Sequence, residues 1–349
     1  MPFSWPDRCG IGYAGSQKHL PGLLFARPGG RRRGGINIIR DQRAFLVYNP
    51  GAGKIKAGGD RLILTLLSEL RRHGIWATLA ASRGLGTLPQ VTRECVARGA
   101  DLIVACGGDG TINEVAQGLV GSDIPLAILP AGTANVLACE LGFGSNLGRT
   151  IRSLPSCRPH RISAGRLTNA AGAARYFLLM AGAGLDAFIV YNISAQLKRR
   201  FGKAAYWIGG FRQLGRSLEE FHVHLDGALH RCSFALVTKV RNYGGDLQIA
   251  RKVSILDDHF EIVLFEGAES YRYLKYFLGV ATNSLERMRG VTVRRTRRAE
   301  FLPLEERPVH LQVDGEYAGQ IPGGVEIVPD ALRLLIPPDY AARIRDSRR

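Results

Sequence analysis

Leu102-Ile103-Val104-Ala105-Cys106-Gly107-Gly108-Asp109-Gly110-Thr111-Ile112-Asn113-Glu114-Val115-Ala116 is the stretch that decides the fold class. Its apolar opening, residues 102–106, has the length and uniformity of a strand buried on both faces of a parallel sheet. A helix should follow, with apolar spacing at Ile112, Val115, Ala116 and Leu119, and Glu114 stands three residues after Thr111, the spacing of a capping box. The glycines let the chain turn sharply and approach a ligand, while the unbonded N–H groups of a helix start favour an anion. Asp109 is out of place in such a turn, because a carboxylate repels a phosphate unless a cation stands between them, and Mg²⁺ is the usual one. The turn therefore asks for a magnesium nucleotide. Taken alone, the four residues 107–110 also fit a plain strand-to-helix turn closed by an Asx-type hydrogen bond.

The same pattern recurs on either side. Residues 44–48 form a buried-type strand that enters the turn Asn49-Pro50-Gly51-Ala52-Gly53-Lys54. This is not a Walker A loop, since Ile55 follows the lysine where Ser or Thr is required. A helix is predicted over 60–73, with Gly74 as its stop, then a strand at 75–80 and a helix at 89–98. Downstream, strand 125–130 runs into Ala131-Gly132-Thr133-Ala134-Asn135 and a helical segment at 136–141. In an open parallel sheet the loops at strand C-termini line one crevice, so the three turns can converge on one ligand.

Beyond residue 158 the texture changes. Short alternating segments at 175–180, 221–225, 232–240, 259–265, 309–313 and 332–336 predict an antiparallel sheet or sandwich, interrupted by helices at 203–220 and 270–289. The expected organisation is a basic leader over 1–42, a nucleotide-binding α/β domain over 43–157, a β-sandwich-like substrate domain over 158–340 and a basic tail over 341–349. The Gly-, Pro- and Arg-rich leader reads as disordered, or as residues added by an upstream start codon.

Composition bounds the function. The 349 residues carry 47 basic and 30 acidic side chains, a net charge of +17, of which +11 remains outside residues 1–43. Such a surface suits anionic partners. The six cysteines form no CxxC pair and lie mostly in apolar context, which favours reduced thiols over disulfides or zinc. No window is long and apolar enough for a membrane-spanning helix, and the start lacks the apolar core of a signal peptide. His222 and His224 share one strand face without a third ligand in view.

With these motifs in place, the chain resembles the diacylglycerol kinase catalytic family in its bacterial soluble form, which includes sphingosine and ceramide kinases. The markers are the 49–53 turn, Gly107 to Val115, Pro130 to Asn135, Gly182-Ala183-Gly184-Leu185-Asp186-Ala187 and Val313-Asp314-Gly315-Glu316, in order over about 43–338. The resemblance implies a phosphofructokinase- and NAD kinase-like first domain, a β-sandwich second domain, and ATP with Mg²⁺ in the cleft between them. By motif, Asn49, Gly51, Gly53, Gly107, Gly108, Asp109, Gly110, Thr111, Glu114, Gly132 and Thr133 would hold the nucleotide, with Asp109 at its Mg²⁺. Asp314 and Glu316 would reach the transferred phosphate, and Asp314 or Asp109 could accept the proton of a lipid hydroxyl. Asp314 is the slightly better candidate, although Asp-Gly between strands is also a hairpin signal. The resemblance further implies a structural Mg²⁺ near Asp257 and Asp258, where His259 replaces the usual glycine.

The expected activity is ATP-dependent phosphorylation of a membrane lipid, diacylglycerol first and a sphingoid base or ceramide next. The expected setting is cytoplasmic, at the inner face of the membrane. Arg287, Arg289, Arg294, Arg295, Arg297 and Arg298, with Lys198-Arg199-Arg200, would meet an anionic membrane surface. The aromatic residues Tyr206, Trp207, Phe211, Tyr271, Tyr273, Tyr276 and Phe277 read as core more readily than as a lipid port, and Asp186 as a helix cap more readily than as a catalytic group. An NAD kinase-like enzyme and a non-catalytic basic module are the competing readings. Nucleic acid is not expected as a partner, for want of an RNA-binding motif; a homodimer is left open.

Overall fold

The computed structural model describes residues 43–185, 187, 218–243, 247–269, 271–282 and 284–346. The expectations for 1–42, Asp186, Lys198-Arg199-Arg200, Tyr206, Trp207, Phe211 and most of the helix over 203–220 lie outside the described residues. The described end of that last stretch, 218–220, is not helical.

Strand and helix alternate at first: β1 (Arg43–Tyr48), α1 (Gly53–Arg72), β2 (Trp76–Ala81), α2 (Leu88–Ala97), β3 (Leu102–Gly107), α3 (Asp109–Leu119) and β4 (Pro125–Pro130). The four strands are parallel in the order β2-β1-β3-β4. Strand order therefore reverses between β1 and β3, which opens a crevice at their C-terminal ends. β3 is buried at every position, as an all-apolar central strand must be. Helix α1 starts earlier than its apolar period suggested. The 49–52 turn feeds directly into it, and the helix is kinked at Gly59, where φ is 53°. It ends where predicted, with the Gly74 N–H donating to Arg71 O and the Ile75 N–H to Leu70 O.

The chain continues through α4 (Val136–Leu141) and α5 (Leu147–Ser153) into the antiparallel half. This holds β5 (Arg158–Thr168), β6 (Ala174–Phe177), β7 (Met180–Gly184), β8 (Phe221–Leu225), β9 (Ala228–Cys232), β10 (Phe234–Thr238), β11 (Asn242–Tyr243), β12 (Leu247–Gln248), β13 (Phe260–Phe265), α6 (Arg272–Ala281), β14 (Val291–Thr296), β15 (Arg298–Pro303), β16 (His310–Val313), β17 (Glu316–Gln320), β18 (Gly323–Ile336) and α7 (Pro338–Asp346). One sheet of the sandwich, β14-β13-β10-β7-β16-β17, faces the outer part of the other, which includes β5, β6, β18, β15, β8 and β9. Phe177, Phe221, Val223 and Phe301 from the second sheet meet Ala181, Val237, Phe260, Ile262 and Leu311 from the first in a dry core. Phe177 stacks on Phe260 with centroids 5.5 Å apart.

That second sheet is continuous with the parallel one. β18 is antiparallel to β5 along most of its length, and Arg333 and Leu334 near its end pair in parallel with Pro125 and Leu126 of β4. Asp123, just before β4, forms ion pairs with Arg161 of β5 and Arg333 of β18.

The helix predicted over 270–289 is α6 followed by a separate 3-10 turn, Leu285–Arg287. Tyr273 packs against Phe234 and Phe265, and Tyr276 is buried, whereas Tyr271 is exposed. Cys95, Cys106, Cys157 and Cys232 are buried thiols, and burial pushes Cys106 and Cys157 up to about 12. No described helix is long and apolar enough to cross a membrane.

Candidate functional site

The three glycine-bearing turns meet at the C-terminal ends of β1, β3 and β4. The Lys54 N–H, opening α1, donates to Ala131 O at 3.0 Å, and the Ala131 N–H donates to Gly107 O at 2.9 Å. A Cβ on Gly132 would lie 2.3 Å from Gly108 Cα, so the second and third turns touch backbone to backbone and only glycine fits. In the first turn, Asn49 Oδ1 accepts the Gly51 N–H at 2.8 Å, so this side chain shapes its own loop. Gly51, Gly53 and Thr133 lie exposed on the rim, while Gly107 and Thr111 are buried beneath it.

Helix α3 begins at Asp109 with Gly108 as its N-cap, two residues before the expected start. Thr111 is thus inside the helix and the Thr111–Glu114 capping box does not form. The N-cap Gly108 has no side chain to cap α3, which leaves first-turn N–H groups to face a ligand. Asp109 instead serves the neighbouring helix: its carboxylate accepts from the Val136 N–H at 3.0 Å and the Leu137 N–H at 3.2 Å. Those are the first amides of α4, whose N-cap Asn135 is left-handed (φ 49°) and folds its side chain back onto Gly132. One carboxylate thereby locks the second turn to the third.

The opposite wall comes from the hairpin between β16 and β17. Val313 and Glu316 are paired, and Asp314 and Gly315 between them have φ of 48° and 81°, both left-handed as a type I′ turn requires. The hairpin reading and the site reading thus describe one object. The Asp314 carboxylate accepts four N–H groups: Leu178 at 3.2 Å, Leu179 at 3.1 Å, Met180 at 2.8 Å and Asn113 Nδ2 at 2.6 Å. Burial pushes this carboxyl up to about 6, against the pull of these donors. Asn113 lies on α3, six residues after Gly107, so the hairpin is tied directly to the helix that starts at the phosphate-type turn. Gln117, one turn on, donates to Asn113 Oδ1 and to Tyr176 O.

Glu316 is drawn toward the same turn. A Cβ on Gly110 would come within 2.8 Å of Glu316 Oε1, and Arg175 Nη2 holds Glu316 Oε2 at 2.5 Å. Glu114 belongs to this group rather than to a capping box: burial raises its carboxyl, with the Glu316 charge adding to the effect and Arg175 opposing it. Glu114 and Glu316 interact through their charges at this turn, and carboxylates suit Mg²⁺ when phosphate oxygens and water complete its octahedron. Asn113, Gln117 and Arg175 escaped the sequence reading. The one available signal was Asn113, a polar residue on an otherwise apolar helix face.

Asp257 and Asp258 stand in a separate loop between β12 and β13. Asp257 Oδ2 accepts the Ser254 N–H at 2.6 Å, Asp257 O accepts from Ser163 Oγ and Lys239 Nζ, and Asp258 is exposed. Burial lowers the Lys239 ammonium to about 8, while the charges of Asp257 and Asp258 oppose that fall. Among the described residues no group of three or more His, Cys, Asp or Glu is arranged to hold a metal by itself. His224, on the strand face it shares with His222, lies 3.5 Å from Glu300.

A family model described as the diacylglycerol kinase catalytic domain matches residues 43–167, and one described as the YegS C-terminal NAD kinase beta sandwich-like domain matches 180–336. The chain is similar to a diacylglycerol kinase of Bacillus subtilis (strain 168), 27% identical over 314 residues, which cover 87% of this chain and 100% of the relative. A diacylglycerol kinase of Mycobacterium tuberculosis (strain ATCC 25618 / H37Rv) is 28% identical over 247 residues, 69% of this chain and 79% of that one. A crystal structure of a diacylglycerol kinase from Bacillus anthracis str. Sterne superposes with a TM-score of 0.67 at 21% identity, covering 85% of this chain and 98% of that one; this likeness concerns the fold.

Proposed function

Because the chain belongs to the diacylglycerol kinase catalytic family, we propose that it transfers the terminal phosphoryl group of ATP to the hydroxyl of a membrane lipid, with diacylglycerol as acceptor and phosphatidic acid as product. The observation that carries this reading is the meeting of the two walls: a backbone-only cradle at Gly108 and Gly132, faced by Asp314 and Glu316 on a hairpin tied to α3 through Asn113.

Phosphoryl transfer is mainly a matter of position and charge neutralisation. The N–H groups at the start of α3 and the 49–53 and 131–135 turns receive the phosphates, and the glycine contacts let the backbone come close enough to do so. Asp109 keeps the second and third turns in register. Mg²⁺, when bound with the nucleotide, neutralises phosphate charge, and Asp109, Glu114 and Glu316 are the residues that would hold it. As the bond from the lipid oxygen to the γ-phosphorus forms and that to the bridging oxygen of ADP breaks, the hydroxyl proton needs an acceptor. Asp314 takes that role, since a carboxyl near 6 is ionised at neutral pH yet basic enough to receive a proton. Among the described residues Asn113 Nδ2 is its one side-chain donor, and therefore the one the acceptor hydroxyl can displace without unmaking the strand.

The lipid is reached from the surface of an anionic membrane. Arg287, Arg289, Arg294, Arg295, Arg297 and Arg298 are all exposed, and β14, which carries two of them, is a sheet edge. Transfer of label from γ-³²P-ATP to diacylglycerol, ceramide, a sphingoid base and a polyprenol in phosphatidylglycerol micelles tests the reading. Label on diacylglycerol above the others supports it. Label on none of the lipids, or on NAD instead, overturns it.

A further inference from the structure

Lys239, directly after β10, is the largest buried charge whose task the cleft does not explain: its relative exposure is 0%. Its Nζ donates to Asp257 O at 2.6 Å and to Ser163 Oγ at 2.7 Å, and Ser163 Oγ donates to the same carbonyl at 2.8 Å. Two oxygens are thus gathered round one ammonium, at the loop where the family resemblance places a structural divalent cation. The Asp257 carboxylate is turned into its own loop and accepts the Ser254 N–H, and His259 Nε2 stands 4.0 Å from it. A divalent ion here would meet the ammonium at contact distance, and like charges that close in a dry interior repel strongly.

We propose that Lys239 is the resident cation of the 254–259 loop, an internal ammonium in the place of a structural metal, so that this loop folds without one. The arrangement also reaches the cleft. The Lys239 N–H donates to Leu179 O at 2.8 Å, and the Leu179 N–H is one of the four donors on Asp314. The lysine's main chain thus borders the strand edge from which the Asp314 cage hangs. The inference stands apart from the proposed reaction, because a chain with this loop chemistry would show it whatever its substrate.

Thermal unfolding of the nucleotide-free full chain, in EDTA and then in excess MgCl₂ or CaCl₂, tests the inference alongside Asp258→Asn and Lys239→Met. A metal loop filled at about a hundredfold excess over its Kd would raise Tm by about 5 °C or more. The expected result is that the wild type and Asp258→Asn respond identically to each ion, so the loop contributes nothing to any shift. Lys239→Met should melt about 5 °C or more below the wild type, since it leaves the Asp257 carbonyl and Ser163 hydroxyl without their cation. A Mg²⁺- or Ca²⁺-induced rise in the wild type that Asp258→Asn abolishes would overturn the proposal, as would a Lys239→Met protein as stable as its parent. Should Lys239→Met not fold, the comparison of wild type with Asp258→Asn still decides.

Discussion

The two walls of the cleft are built from different materials. On the α/β side, Gly107, Gly108, Gly110 and Gly132 offer backbone alone, and the Asp109 carboxylate holds two turns together. On the hairpin side the wall presents carboxylates, each held by named donors: Asp314 by four N–H groups and Glu316 by Arg175. A wall made of main chain tolerates no added atoms, while a wall made of side chains tolerates no change of charge. Substitutions on the first should fail through shape and on the second through chemistry.

Asp314→Asn should show the largest effect. It keeps the volume and removes the proposed proton acceptor, so kcat should fall about 10²–10⁴-fold with little change in nucleotide affinity. A loss below about tenfold would make Asp314 a hairpin residue and nothing more. Asp109→Asn should follow, with about 10–100-fold lost, because an amide supplies one acceptor oxygen for the two α4 amides and lacks the charge. Here nucleotide affinity should weaken along with kcat, and a pure kcat effect would blur the distinction between the walls. Gly132→Ala should weaken nucleotide binding by about tenfold and stability by about 1–3 kcal/mol, the range of an overpacked contact. Equilibrium dialysis with ATP and denaturant unfolding separate those two losses.

Asp314 gives the hairpin wall a pH signature. Asp314 is raised from the ordinary aspartate value of 3.8 to about 6. Between those values the folded protein holds a proton that the unfolded chain has lost. The stability contributed by this group is therefore greatest below the lower value and falls as pH rises through the window. Activity should run the other way, with kcat/KM climbing to a plateau above about 6. Opposed trends in the two measurements, both absent from Asp314→Asn, would place the titration on this carboxyl. The smallest effect should come from Arg297→Ala, about fivefold weaker partition onto phosphatidylglycerol vesicles from a loss of about 1 kcal/mol, fading as salt rises. Equal binding to neutral vesicles would remove the arginines from the docking surface.

What could be read from the sequence follows the same division. Turns made by glycine announce themselves through local spacing, so the stretches at 49–54, 107–111 and 131–135 are legible in the sequence. The capping box does not form because α3 begins at Asp109 and encloses Thr111, while Asp109 binds the amides of α4, 27 and 28 positions away. The Asn113–Asp314 contact spans 201 positions, and nothing local in either segment points to the other. β5, RPHRISAGRLT, was overlooked for a related reason: its arginines and proline break the period of a strand, and its order comes from β18. The loop at Asp257 showed its acidic residues but concealed the lysine that answers them.

β18 has a consequence for how the protein is made. On the ribosome, β4 and the helices around it emerge long before residues 333 and 334, which lie against the outer side of β4 in the finished sheet. Until then the α/β half must wait with that edge, and the apolar residues Leu126, Ala127 and Ile128 beside it, incompletely covered. Its final closure is thus a late event in synthesis. A nascent chain stalled or clipped before 333 should be a client for chaperones even though every residue of the phosphate-type turns has already been translated.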